Sequence, residues 1–400
     1  MTDVFPAEAP AETVPEAQVV RSPLSYLSGR RRNPWVGRAV FVGIVAVMAL
    51  WPYILDDPTR TRQWAEYFCY AAIAVGIDIA WGYGGMLVLG QGLFFGLGAY
   101  AMGMHLSLEQ VEPGQLPAFM SLYGDQTELP LIWKPFQDLW VSVVLALVIP
   151  MVVAGGLGWL VFSRRIRGPY FALLTQAMAL VFVLVLIGQL KTTAGTNGLT
   201  DFATVFGRNK YDPGTNTFLY FLAAGVLVVV FLVARHLIAS RYGRLLLAVR
   251  DREDRVRFLG YNPAVTKTFA FVVAAGMAGA AGAVAAPVIG IVAPNQFTVL
   301  PSILMVCWVA VGGRGTLYGA ILGALLVGWG RTTFSESRPD DWQYLQGLMF
   351  VVVVAYIPGG IIGLLRSLGH RLPRRREATA RASSTTTLDE GIGHVPQVST

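Results

Sequence analysis

Long apolar runs alternate with short polar joins along nearly the whole chain. Ten apolar segments stand out, at 36–55, 64–82, 86–106, 139–162, 170–190, 217–237, 267–290, 300–312, 315–330 and 343–364. Most approach the length a helix needs to cross the hydrocarbon of a bilayer. Lipid offers no partner for unpaired backbone groups, so runs of this length predict helices. The expected fold is an all-α polytopic integral membrane protein with about ten transmembrane or half-spanning helices. The eighth and ninth segments are short for spanning. They meet at Gly312-Gly313-Arg314-Gly315, which predicts half-helices or strongly bent spans.

The densest charge lies between two of these runs. Phe218–Val233 and Thr268–Val288 carry no charged side chain, whereas Ser240–Lys267 reads SRYGRLLLAVRDREDRVRFLGYNPAVTK. Such a segment cannot lie in hydrocarbon and must be a loop. Leu245, Leu246, Val249, Val256 and Leu259 recur in it at three- and four-residue steps, with charges between them. That spacing predicts an amphipathic helix, which Gly260 and Pro263 stop. It is either a solvated helix on the headgroups or a docking helix gripped by a soluble partner. In the docking reading, the apolar stripe fills a groove of the partner. Arg250 and Arg255 then meet acids at the groove's rim, Asp251 and Asp254 meet its basic groups, and Gly260 sets the helix angle.

Charge also orients the chain. Arg30–Arg32, Arg164, Arg165 and Arg167, the 240–267 segment and Arg374–Arg376 fall on one predicted side. Glu109, Glu112, Asp125, Glu128 and Asp138, against Lys134, fall on the other. Basic loops stay in the cytoplasm, which predicts an N-in/C-in topology. Trp51, Trp64, Trp133, Trp140 and Trp342 lie near proposed outer boundaries, as an aromatic belt would. Residues 1–34 and 367–400 read as disordered cytoplasmic tails flanking a membrane domain at 35–366.

Composition narrows the function. With 54% hydrophobic and 14% charged residues this is a membrane composition, so the +7 net charge reflects cytoplasmic loops and not nucleic acid. Lys134, Lys191, Lys210 and Lys267 follow Trp, Leu, Asn and Thr. A Walker A lysine must follow glycine, so any ATP use belongs to a partner and this chain needs no cofactor. Cys69 and Cys307 stand alone in apolar runs, and His105, His236, His370 and His394 are scattered, so no metal site is expected. Nothing here reads as an enzyme.

Several segments are candidates for transport chemistry. Trp81–His105 is rich in glycine, and Gly92 and Gly96 make a small-xxx-small face. It serves either close packing or a broken helix start beside a pore. Gln91 and Gln176 can both donate and accept hydrogen bonds along a pathway. Asn197 lies in the turn-rich Thr192–Phe202 loop with Asp201. Asp78 is an acid near the inner end of a span, where it is either functional or snorkels to the interface. Gly279, within Ala275–Ala286, and Gly315, Gly319 and Gly323 mark faces for close helix packing.

The run GYGGMLVLGQGLFFGLGAYAMGM and the loop SRYGRLLLAVRDREDRVRFLGYNP resemble the branched-chain amino-acid-type ABC importer permeases, the LivH/LivM family. Leu129–Phe136, Gly195–Phe202 and Trp308–Leu317 are most similar to the family's urea-importer branch. The resemblance covers about residues 36–366. It implies a bacterial inner-membrane permease that imports urea, or else a branched-chain amino acid or short amide. The implied partners are a second homologous permease subunit, two ABC ATPase subunits and a periplasmic solute-binding protein. Residues 240–267 then form the ATPase-coupling loop, with Val249, Arg250, Asp251, Glu253, Asp254, Arg255 and Gly260 as coupling residues. The loop departs from the Glu-Ala-Ala…Gly pattern common among other ABC importers: Asp251, Glu253 and Asp254 precede Gly260 without it. A passive channel or secondary transporter is the competing class, since neither needs an ATPase.

Overall fold

The computed structural model describes residues 57–337, apart from 113–114, 124–127, 167, 201 and 211, together with scattered positions within 48–53 and 341–364. Both tails, Arg167, Asp201 and Trp342 lie outside the described residues, as does most of the first and tenth apolar segments. The helical positions 48 and 50–53 belong to a separate unit that ends at Ile54. The principal helices are α1 (Pro58–Ile77), α2 (Gln91–Glu109), α3 (Leu139–Ser163), α4 (Pro169–Gly188) and α5 (Pro213–Ala239). They continue with α6 (Arg241–Phe258), α7 (Pro263–Ile289), α8 (Val299–Gly312) and α9 (Leu317–Ser337). A two-stranded hairpin, β1 (Thr204–Val205) and β2 (Arg208–Asn209), joins them.

This is the all-α membrane architecture the apolar runs predict. Among the described residues, α3, α4, α5 and α7 are each long and apolar enough to cross a membrane. The pair α8 and α9 passes the same test together, bent by 119° at its break. The eighth and ninth apolar segments are therefore the two arms of one broken unit. The end of α1 runs into a π-helical turn at Asp78–Tyr83. An irregular stretch then leads to α2.

Local chemistry sets where the helices begin. Asp57, Asp212 and Asn262 each stand before a proline, and each side chain accepts from a backbone N–H of the first turn. The side chain satisfies an orphan donor, and proline at N1 loses nothing there and presets φ. α1, α5 and α7 consequently begin at 58, 213 and 263, four to six residues before their apolar runs.

The core gathers on α7. Its small residues admit other backbones: a Cβ at Gly98 of α2 would collide with the Gly279 backbone, and one at Gly279 would meet the Ala146 carbonyl and Pro150 of α3. Close approach of this kind replaces side-chain burial as the source of packing in lipid.

At one end of the bundle, Arg62 Nε and Nη2 donate to the Val288 and Ile289 carbonyls, at 2.5 and 2.9 Å, closing the C-terminus of α7. A cation there also opposes the negative end of the helix dipole. Glu109 accepts from the Phe206 and Gly207 amides at the hairpin tip. Leu199 bridges Val292. Trp133, expected in an aromatic belt, is instead fully buried at this end, its indole N–H donating to the Thr192 carbonyl at 3.1 Å. Its polar edge finds a carbonyl within the protein and needs no headgroup. α6 lies at the opposite end.

Candidate functional site

Ser240 caps α6, accepting from Tyr242 N at 3.1 Å and Gly243 N at 3.4 Å. Tyr242 then anchors the helix, donating its hydroxyl to the Thr266 carbonyl at 2.6 Å and packing edge-on against Phe269. The helix packs on α5, α7 and the 78–83 turn. It is kinked at Arg252, whose φ of −149° and ψ of 72° are not helical. Beyond the kink Glu253 receives Lys267 Nζ at 2.7 Å and Arg257 at 3.4 Å. Gly260 ends the helix with φ +86° and no neighbour near a would-be Cβ, so backbone conformation alone requires glycine there.

The amphipathic helix is present, and its apolar stripe is divided between the chain's own bundle and the outside. Leu246, Val249 and Val256 are buried by this chain itself. That takes Leu246, Val249 and Val256 out of the face expected to fill a partner's groove and leaves Leu259 open to one. The loop must hold to its own bundle before it can transmit force, and these three residues supply that contact. The apolar groups left open are Phe258 at 91% exposure, Leu259 at 76% and Tyr261 at 56%. They cluster where the helix ends. A cleft of about 500 Å³ is lined by Val249–Arg255, Gly84, Gly85 and Lys267. Asp251, Asp254 and Arg255 are exposed around it.

Arg250 turns the other way, into the bundle. Its Nη1 donates to the Gly82 carbonyl at 2.6 Å and its Nε to Asp251 at 3.0 Å. Its side-chain stem covers Gly85, which has φ +70°. Asp78 does not snorkel. It is fully buried, and Oδ1 accepts the Gly315 N–H at 2.5 Å, within the break between α8 and α9. Oδ2 is buried without a hydrogen-bond partner.

Of the four pathway candidates, Gln91 and Gln176 lie near each other, whereas Asn197 lies at the other end of the bundle. Gln91 opens α2, fully buried, with Nε2 donating to the Ala274 carbonyl at 3.1 Å and Oε1 unpartnered. Gln176 is half-buried on α4, close to the start of α2: Leu89 N donates to Thr175 Oγ1 at 3.3 Å, and a Cβ on Gly90 would meet the Thr175 carbonyl. Asn197 is exposed at the end of the bundle away from α6, and Asp78 belongs to the α6 end. The packing candidates each meet a neighbour. Gly92 faces Ser302, Gly96 faces Phe182 and Phe297, and Gly319 and Gly323 face the backbone of α8, while Gly315 touches the 78–83 turn. Tyr100 escaped the sequence reading. It is buried in a cluster with Phe182 and Phe297, its hydroxyl unpartnered. Its place four residues after Gly96 on one helix face was the available signal.

An apolar bundle around a small-residue helix, two broken elements meeting inside it and a charged helix at one end define a polytopic membrane permease. Residues 64–354 match the family described as "Branched-chain amino acid transport system / permease component", and the chain belongs to that family. It is similar to the "High-affinity branched-chain amino acid transport system permease protein LivM" of Escherichia coli (strain K12), with 28% identity over 349 residues, 81% of this chain and 75% of that protein. The protein of the same description from Salmonella typhimurium is 26% identical over 352 residues, with the same coverage. No solved structure matches the chain.

Proposed function

We propose that this chain is the transmembrane permease subunit of an ATP-driven ABC importer that carries a small polar solute, urea, inward by alternating access. In this reading it works in a bacterial inner membrane with a second homologous permease subunit, two ABC ATPase subunits and a periplasmic solute-binding protein. One observation carries the reading. Phe258, Leu259 and Tyr261 are exposed together at the tip of a helix anchored in the bundle. A solvated loop gains nothing from such a tip, whereas a groove on a soluble partner buries it. An ATPase that grips the tip moves α6, and α6 moves α5, α7 and the 78–83 turn.

Basic residues are more numerous at the α6 end, where Arg164, Arg165, Arg241, Arg244, Arg255 and Arg257 stand against Arg62, Lys191, Arg208 and Lys210 at the other, which supports α6 in the cytoplasm, the side on which we also propose both termini. The unpartnered polar atoms of Gln91 and Tyr100 support urea, because a neutral solute needs hydrogen-bonding groups and no fixed charge. A branched-chain amino acid is the second reading. The names of the relatives favour it, as does the aromatic wall of Phe95, Phe182 and Phe297 beside Tyr100, which suits an aliphatic side chain.

Affinity purification tests both parts. The tagged chain should bring an ATPase subunit with it, and Phe258→Ala/Leu259→Ala should lose that subunit. A variant that retains the ATPase contradicts docking at the tip. Uptake of labelled urea that excess leucine does not reduce supports urea. Competition by leucine selects the second reading.

A further inference from the structure

Asp78 is a costly residue where it stands. A carboxylate withdrawn from water loses several kcal/mol of hydration unless its lone pairs are met. Here Oδ1 is met by the Gly315 amide at 2.5 Å and the Thr316 amide also faces the carboxyl, yet among the described residues Oδ2 is buried with no hydrogen bond of good geometry. The bond to Gly315 alone does not require a charge, because an asparagine oxygen accepts equally well. The orphan oxygen therefore points to a donor that arrives in another conformation. Arg250 is the cation at hand. Its guanidinium lies within electrostatic reach of Asp78. Its Nη1 is at present spent on the Gly82 carbonyl, one turn further along the same π-helical element. A Cβ on Gly82 would strike both Asp78 Oδ1 and the Gly315 amide, so the turn and the break between α8 and α9 are in direct backbone contact.

We propose that Asp78 and Arg250 form a two-position latch, in which Arg250 passes between the Gly82 carbonyl and Asp78 Oδ2 as α6 moves, tying that motion to the break between α8 and α9. The proposal rests on α6 being driven by an ATPase. Asp78 is thus a positioning residue for transport. It touches no solute, and acts through Gly315 on the arm that opens or closes a path. The latch supplies the two discrete arrangements that coupling between distant sites demands. In one arrangement Nη1 bonds a neutral carbonyl while Nε keeps its bond to Asp251. In the other the guanidinium satisfies a buried carboxylate with a charge-assisted bond.

The reconstituted complex, with both permease subunits, the ATPases and the solute-binding protein, tests this by solute imported per ATP hydrolysed. Asp78→Asn keeps the acceptor for Gly315 and removes the charge Arg250 needs. It should assemble, hydrolyse ATP and lose about tenfold in solute per ATP, a coupling loss of the usual size. Arg250→Gln should do the same. The double variant should be no worse than either single, since one interaction is lost only once. Asp78→Asn with wild-type stoichiometry, or single losses that multiply in the double variant, overturns the latch. Should Asp78→Asn fail to assemble, the otherwise intact complex decides. Spin labels at Arg252→Cys and Arg314→Cys, with Cys69 and Cys307 changed to alanine, should shift in separation by about 4–5 Å, close to one helical turn, between nucleotide-free and nucleotide-trapped states. A constant separation overturns the latch. If the wild-type complex shows no ATP-dependent uptake, the importer reading falls and takes the latch with it. Coupled wild-type uptake with unaffected variants removes the latch alone.

Discussion

Val249→Asp and Leu259→Asp put the same carboxylate on two sides of α6 and should fail for different reasons. Val249 is 1% exposed and packs into its own chain, whereas Leu259 is 76% exposed. At Val249 the change removes about 1.5–3 kcal/mol of apolar burial. It also adds a carboxylate next to a lining that includes Arg250, Arg255 and Lys267 and opens to the cleft, so the charge is partly relieved. A net loss of about 3 kcal/mol follows, and a bundle of this size should unfold roughly 4–5 °C lower. At Leu259 the fold should change by no more than about 0.5 kcal/mol. Docking there should weaken by about 2 kcal/mol, close to 30-fold. Thermal unfolding in nanodiscs and titration with the purified ATPase read the two effects separately. Val249→Asp that leaves unfolding unchanged but abolishes ATPase binding would return the stripe to the partner and refute the division of α6 into an anchored face and a free tip.

Three further outcomes are expected. Gly279→Leu should overfill the space between Ala146, Pro150 and Gly98, cost a few kcal/mol and reduce assembled yield, while Gly225→Leu, with open space around it, should purify normally; size-exclusion profiles compare them. Gly260→Val should cost about 1–2 kcal/mol for its left-handed backbone, and Gly260→Asn much less, as thermal unfolding reports. In the proposed topology a cysteine at Gln110 should react with an impermeant thiol reagent from outside the cell and one at Ser163 should not; the reverse pattern refutes it.

The spans were legible because an apolar run long enough for lipid can only be a helix. Their beginnings were not read correctly. Hydropathy starts α1, α5 and α7 at 64, 217 and 267, whereas Asp57-Pro58, Asp212-Pro213 and Asn262-Pro263 start them at 58, 213 and 263. Caps are polar, so a hydropathy reading passes over the residues that set the boundary. The break between α8 and α9 was visible in Gly312–Gly315, because nothing else explains four such residues between two short apolar arms. Periodicity found α6 and its stripe, but it reports a face without saying what covers it. The meeting of Asp78 with Gly315, 237 residues apart, left no local trace. Neither did the separation of Asn197 from Gln91. Those are properties of the packed bundle.

The most direct measurement is solute uptake by proteoliposomes holding the complete complex, with ATP inside or outside the lumen and with Phe258→Ala/Leu259→Ala set against wild type. The account predicts concentrative uptake only when ATP reaches the face that bears α6, and none in the variant, although the solute-binding protein still docks on the other face. Downhill flux that ignores both ATP and the variant would contradict it and mark the chain as a passive channel.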